Sequence, residues 1–330
     1  MTTPPNPILQ TVAQFRAALA RHDAAALNRL TAAYTRLYAR LQDKINLLVD
    51  AIEMNEPTVG ELARMTRYNA LIKQVESELR DYQVILRNEV GGVSESAITF
   101  AGRDTARLLR VMAGEYGFSI QFNRLPTEAI KSLLGFLSEE GPLYARIGEL
   151  AGTNAERVAD KILEGVGLGQ NPRAIAAAIR DSLGGGLTDA LRMTRTVQLW
   201  SYREATRANY LTNSDVVDGW TWWAHLAGGP CMGCISKHGS VHGLDEALDD
   251  HYNGRCTGLP IVRGIIPVEQ GGEDWFNQQP EAKQRELMGQ SKFDAWKDNK
   301  FSFGQLAGKH QDTVYGQMTV EAPLAVLLGE

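Results

Sequence analysis

All three cysteines of the chain, Cys231, Cys234 and Cys256, and four of its six histidines, His225, His238, His242 and His251, fall between Val217 and Val262. Thiolate and imidazole are the donors zinc takes in a tetrahedron, and two of the four usually come from one tight turn. Cys231-Met232-Gly233-Cys234 supplies such a turn, with Gly233 expected to take a positive φ so that both sulfurs point to one side. Cys256 is the third expected ligand. His251, five residues earlier in HYNGRC, is the fourth, with His242 and His238 as substitutes. The expectation is a structural zinc site in a loop too polar for a hydrophobic core to organise.

Other chemistries meet the same residues. A Cys231–Cys234 disulfide would strand Cys256, and three cysteines without a secretory signal argue for a reducing compartment. No nucleophile–base pair with an orienting group stands near them, which argues against a reactive cysteine. Pro230-Cys231-Met232-Gly233-Cys234 fits half of the zinc deaminase signature, but that chemistry needs His-x-Glu for its proton shuttle, and no histidine here is followed by x-Glu. Asp249-Asp250-His251 with Asn253 leaves a metal-dependent nuclease of the His-Asn-His kind as the alternative, carried as an enzyme or toxin-like effector. The glycines of Val166-Gly167-Leu168-Gly169 are followed by no Walker lysine, so they read as a helix–loop–helix junction in which Asn171 caps and Pro172 opens the next helix.

In order along the chain stand Arg195-Thr196, a helix through Tyr202 and Arg207, a strand with Trp220 and Trp222, the CxxC turn, and HYNGRC. This series resembles the head morphogenesis domain of tailed-phage minor head proteins, the Mu F-like family, over roughly residues 155–330. Arg195 and Thr196 match the family's R-T-E, Cys231 and Cys234 its C-x-x-C, and His251, Asn253, Arg255 and Cys256 its H-P-x-C-R-C. Val197 replaces the usual glutamate, Tyr252 the proline and Gly254 the first cysteine of C-R-C. The lost acid weakens a catalytic reading and leaves a structural one intact. The resemblance implies a non-enzymatic protein of the head interior or portal vicinity, assembled in the host cytoplasm, in several copies per virion. Its implied partners are the portal protein and the capsid or scaffold, with packaged DNA a further contact and ejection with the DNA a further role.

The elements that must hold this loop read as mainly helical, an α+β chain. Apolar residues at 8, 12, 15 and 19, then Leu27, Leu30, Tyr34, Leu37, Leu41, Ile45, Leu48 and Ile52, form one helical seam that Glu56-Pro57 breaks. Leu62, Met65, Tyr68, Ile72, Val75, Leu79, Tyr82 and Leu86 form a second, which Gly91-Gly92 is expected to close. Residues 1–92 are thus a coiled-coil-like helical hairpin arm, packed on its own chain or on a partner. Residues 93–190 form a helical domain with Ser94 or Ser96 as a cap, one helix starting near Pro126 and ending at Gly141-Pro142. Residues 191–270 are the core with the metal knuckle, a small antiparallel sheet of 216–224, 239–241 and 257–262. Residues 271–330 are a helical tail whose Phe276, Leu287, Phe293 and Trp296 pack on the core. Arg192, Arg195, Arg203 and Arg207 on one helix read as solvated or paired within the chain rather than bound to phosphate.

The chain of 330 residues is long enough for about two domains. Its net charge of −5 argues against a bulk nucleic-acid binder. MTTPPNPILQ has no basic, then apolar, leader pattern, and no apolar run nears the roughly 20 residues that span a bilayer, so neither secretion nor membrane insertion is expected.

Overall fold

The computed structural model describes residues 6–126, 129–130, 140–268 and 270–329. Among them the chain is mainly helical with a small antiparallel sheet, as its periodicity predicts. The helices are α1 (Pro7–Asn55), α2 (Val59–Leu62), α3 (Thr66–Tyr116), α4 (Pro142–Gly167) and α5 (Pro172–Thr212), followed by the short α6 (Met232–Lys237), α7 (Gly272–Asn277), α8 (Glu281–Met288), α9 (Gln290–Lys297) and α10 (Leu324–Leu328). A three-stranded sheet has the order β2 (Val241–His242), β1 (Val217–Trp223), β3 (Thr257–Val262), and a separate hairpin joins β4 (Ala307–Asp312) to β5 (Gly316–Glu321). No helix among the described residues is long and apolar enough to cross a membrane.

The chain divides into two compact units, Met1–Ala20 with Ser94–Leu134 and Gln198–Glu330, and Arg21–Val93 with Gly135–Val197. Compactness therefore does not follow four consecutive segments, because α1, α3 and α5 each contribute to both units. The second unit is wholly helical where described. Leu30, Leu37, Leu41, Ile45 and Leu48 of α1 and Val75, Leu79 and Leu86 of α3 are all buried, as the two seams read from the sequence expect, except that Leu71 is buried where the seam has Ile72, which is only partly covered. Arg40 grips Glu78 across them, and Tyr34 meets Tyr82 edge to face at 4.7 Å. The seams also find cover within this unit: Tyr34 Oη donates to the Leu183 carbonyl of α5 at 2.6 Å.

Two local expectations fail for tertiary reasons. Gly91-Gly92 does not end α3, and Ser94 and Ser96 lie inside it. Two glycines cost about 1 kcal/mol each in a helix interior, which the buried Val90, Val93 and Ala97 around them offset. A Cβ on Gly91 would stand 3.3 Å from the hydroxyl of Tyr144, so the glycine lets α4 approach. Gly141-Pro142 opens α4 with proline in its first turn; the helix expected to end there lies mostly outside the described residues. α1 does stop at Asn55, with Glu56 at φ +41° before Pro57, and Asn171 does cap α5 through a 2.8 Å bond from the Arg173 amide.

The first unit is built on β1. Trp220 and Trp222 share one buried face, while Trp223 on the other lies beneath the Arg16 guanidinium at 3.8 Å. Ile8, Val12 and Phe15 of α1 join Trp220, Trp222, Cys234, Cys256 and Leu259 in one core. The C-terminal residues are not simply a helical tail: beyond Phe303 they turn into the β4–β5 hairpin. Phe276, Phe293, Phe303, Leu306 and Ala322 form a second core there, with Leu287 and Trp296 packed against it.

Candidate metal centre

The cysteine turn is also the first turn of α6, and that helix lies between the two cores. Cys234 belongs to the first core, with Cys231 packed against it, whereas Met232 and Ile235 belong to the second. Both pairs are three residues apart, so each occupies one face of the helix, and the faces are offset by one residue. Burial of Met232 and Ile235 thus fixes the direction in which the two sulfurs point.

Gly233 acts differently from expectation. It sits inside α6 and is absent from the positive-φ residues; what its missing side chain allows is contact with β5. A Cβ there would lie 2.8 Å from the Val320 carbonyl oxygen. Gly233→Ala is expected to lower stability by about 1–3 kcal/mol through overpacking against backbone, measured by denaturant unfolding.

The second half of the cluster comes from the turn 250–256. Asn253 takes φ +57°, and the Gly254 amide bonds the His251 carbonyl at 2.9 Å. A Cβ on Gly254 would overlap the Asp250 carboxylate, so no side chain is tolerated at that position. The turn brings His251 Nε2 to 3.4 Å from Cys231 Sγ and 3.2 Å from Cys234 Sγ. A tetrahedral zinc with ordinary bond lengths would hold sulfur and nitrogen about 3.6 Å apart, close to both spacings. Cys256 Sγ falls in a second, overlapping group with Cys234 and Asp250; within each group the donor atoms lie within 4.8 Å of one another. The cluster could hold a metal ion.

Its tautomer suits that use. His251 Nδ1 lies 2.8 Å from the Tyr252 carbonyl, which can only accept, so Nδ1 carries a proton and the neutral ring presents the Nε2 lone pair to the sulfurs. Neither substitute histidine reaches them. His238 is buried, its Nδ1 accepts from the Ala224 amide at 3.0 Å, and burial pushes its pKa down to about 4. His242 is stacked on Trp220 at 4.2 Å, between Ser240 at 2.8 Å and Glu246 at 2.9 Å.

Asp250 and Arg203 complete the frame, and neither was expected in it. Asp250 is buried and its carboxylate is fully engaged. Oδ1 accepts from the His251 amide at 3.0 Å and the Cys234 thiol at 3.3 Å; Oδ2 accepts from the Cys256 amide at 3.0 Å and Arg203 Nη2 at 2.8 Å. It therefore orients ligands rather than serving as one. Arg203 also donates to the Cys256 carbonyl at 3.0 Å and to that of Gly254. Arg192, Arg195 and Arg207 of the same helix are paired within the chain, with Asp189, Asp23 and Glu204 respectively.

The C-terminal hairpin holds the same loop from its outer side. Glu321 accepts from the Met232 amide at 2.9 Å, at the start of the cysteine helix. Asp249 accepts from Lys309 at 2.6 Å and from the Thr319 hydroxyl at 2.7 Å, and the Tyr252 hydroxyl bonds Asp312. No spacing in the sequence announces these contacts.

Without a metal the donors share protons. The Cys234 thiol, helped by His251, holds Cys231 down to about 5; the Cys231 bond raises His251 to about 9; hydrogen bonds to Cys231 and Cys256 push Cys234 up. A metal ion must displace the His251 Nε2 proton and that of Cys234. Metal affinity is thus expected to fall by at least about tenfold per pH unit between about pH 8 and pH 6, measured by competition with a coloured chelator. An affinity flat over that range would mean that these protons are not displaced.

Beside the cluster lies an open cleft of about 510 Å³, lined by His225, Pro230, Cys231, His251, Arg255 and Cys256 among others. His225 Nδ1 is 3.2 Å from Arg16 Nη1, which can only donate. Compared with protein-family models, with curated proteins and with solved structures, the chain matches none.

Proposed function

We propose that this chain is a minor head protein of a tailed phage, acting in head assembly by adhesion rather than by turnover, and that Cys231, Cys234, His251 and Cys256 hold one structural zinc. The observation that carries the reading is the convergence of the CxxC turn and HYNGRC, the last two motifs of the ordered series, on one cluster. The donor set suits zinc: two or three thiolates and an imidazole are soft to borderline ligands, and the ring's outer hydrogen bond to the Tyr252 carbonyl is the support that zinc-bound histidines usually have. The clamping of the loop by Arg203, Asp250 and the C-terminal hairpin fits a site that fixes shape. The portal protein is the proposed partner, with capsid or scaffold next to it. A tagged chain is expected to copurify with the portal from assembling heads; recovery without the portal would contradict the assignment.

The open cleft beside His251 favours one other reading, a metal-dependent nuclease or toxin-like effector carried in the virion. Both acids beside His251 have structural partners, Asp249 with Lys309 and Asp250 with Arg203, which favours the first reading. The assembly role predicts no divalent-metal-dependent cleavage of DNA or RNA. The nuclease predicts cleavage that His251→Ala abolishes.

A further inference from the structure

The three thiols of the cluster differ in access. All three line the open cleft, but Cys231 is half-buried, whereas Cys234 and Cys256 are only 3% and 4% exposed. Cys231 caps α6, and Cys234 lies one helical turn further on, its amide 3.4 Å from Cys231 Sγ and its sulfur within 4.8 Å of it. Cys256 groups with Cys234 and Asp250 instead. A sulfur reagent entering the cleft meets Cys231 first, and the nearby thiol behind it is Cys234. The turn of a CxxC at a helix N-terminus is a spacing that a disulfide can close.

We propose that Cys231 is a thiol–disulfide exchange site, with small disulfides as its substrate class and Cys234 as the resolving thiol, and that closing the pair releases the metal. Only the metal release rests on the zinc reading above. In the first step the Cys231 thiolate sulfur displaces one half of the small disulfide; a mixed disulfide forms, and that half leaves as a thiolate that takes its proton from water. In the second, Cys234 sulfur displaces the other half, which leaves as a second thiol, and the Cys231–Cys234 bond closes. The two sulfurs give up two electrons to the small disulfide, which leaves as two thiols whose protons come from water when the metal holds Cys231 and Cys234 as thiolates. His251 and Cys256 are then the remaining donors, short of the four that hold a structural zinc.

Oxidised glutathione is the probe, added to the full-length protein as purified and again after chelator treatment. Peptide mapping follows the bonds and a zinc-sensitive dye follows the ion. Wild type is expected to close Cys231–Cys234 and release its zinc. Cys234→Ser should stop at glutathione on Cys231, and Cys231→Ser should react at least about tenfold more slowly. Glutathione found first on Cys234 or Cys256, or a disulfide that includes Cys256, overturns the proposal; mapping on wild type decides this even if a variant folds poorly. The two readings fail separately. A protein purified without zinc that still closes Cys231–Cys234 supports exchange and removes the zinc, while a zinc-loaded protein that keeps its ion and its free thiols under the reagent removes exchange and leaves the zinc.

Discussion

Arg203→Ala is expected to destabilise the unit that carries the cluster by about 3–5 kcal/mol, the cost of leaving one charge of a buried pair without its partner. Arg203 and Asp250 side chains are only 5% and 0% exposed, so water cannot take the place of the lost guanidinium. The carbonyls of Cys256 and Gly254 lose a donor as well. Because Asp250 holds the amides of His251 and Cys256, the loss should appear twice: as a lower unfolding midpoint with chelator present, and as weaker metal binding. Replacing both residues by apolar ones of similar size should cost much less than Arg203→Ala alone, since no charge is then stranded. Equal losses in the single and double variants would mean that the pair does not act as a unit.

The second large effect concerns the ligands. His251→Ala removes the donor that joins the two turns, the imidazole within 3.4 Å of both sulfurs. An ion bound only by the folded chain stabilises it by about 4 kcal/mol when its free concentration is a thousand times its dissociation constant. His251→Ala should lose that stabilisation, and the wild type should lose it in chelator. The two thermal shifts should be similar and should not add. Unfolding to random coil is not expected, because the Trp220–Trp222 and Phe276–Phe293 cores persist without the ion. An additive chelator effect on His251→Ala would place the metal elsewhere.

The long helices were legible because their burial has a single period. Every third or fourth residue from Leu30 to Leu48 is apolar and buried, and Glu56-Pro57 interrupts the ladder for a local reason. β1 was legible through its aromatic alternation, and the cysteine turn and His251 through donor type and spacing. What escaped depends on contacts distant in sequence. Gly91-Gly92 reads as a stop unless Tyr144 is known to pack there. The β4–β5 hairpin escaped because β4, AGKHQD, is largely exposed and lacks apolar alternation; its partner strand and the bonds to Asp249 position it. Gly233 was recognised as special, yet the backbone it approaches belongs to Val320. The joining of Arg203 to Asp250 escaped most completely. Arg203 reads as solvated or paired within the chain and Asp250 as part of a nuclease motif, but forty-seven positions separate them and no spacing names one as the partner of the other.

Metal content of the purified full-length chain is the decisive measurement. Close to one zinc per chain is expected, absent from His251→Ala, with a melting transition that falls when chelator strips the wild type. Metal-free wild-type protein whose melting is the same with and without added zinc would contradict the zinc site.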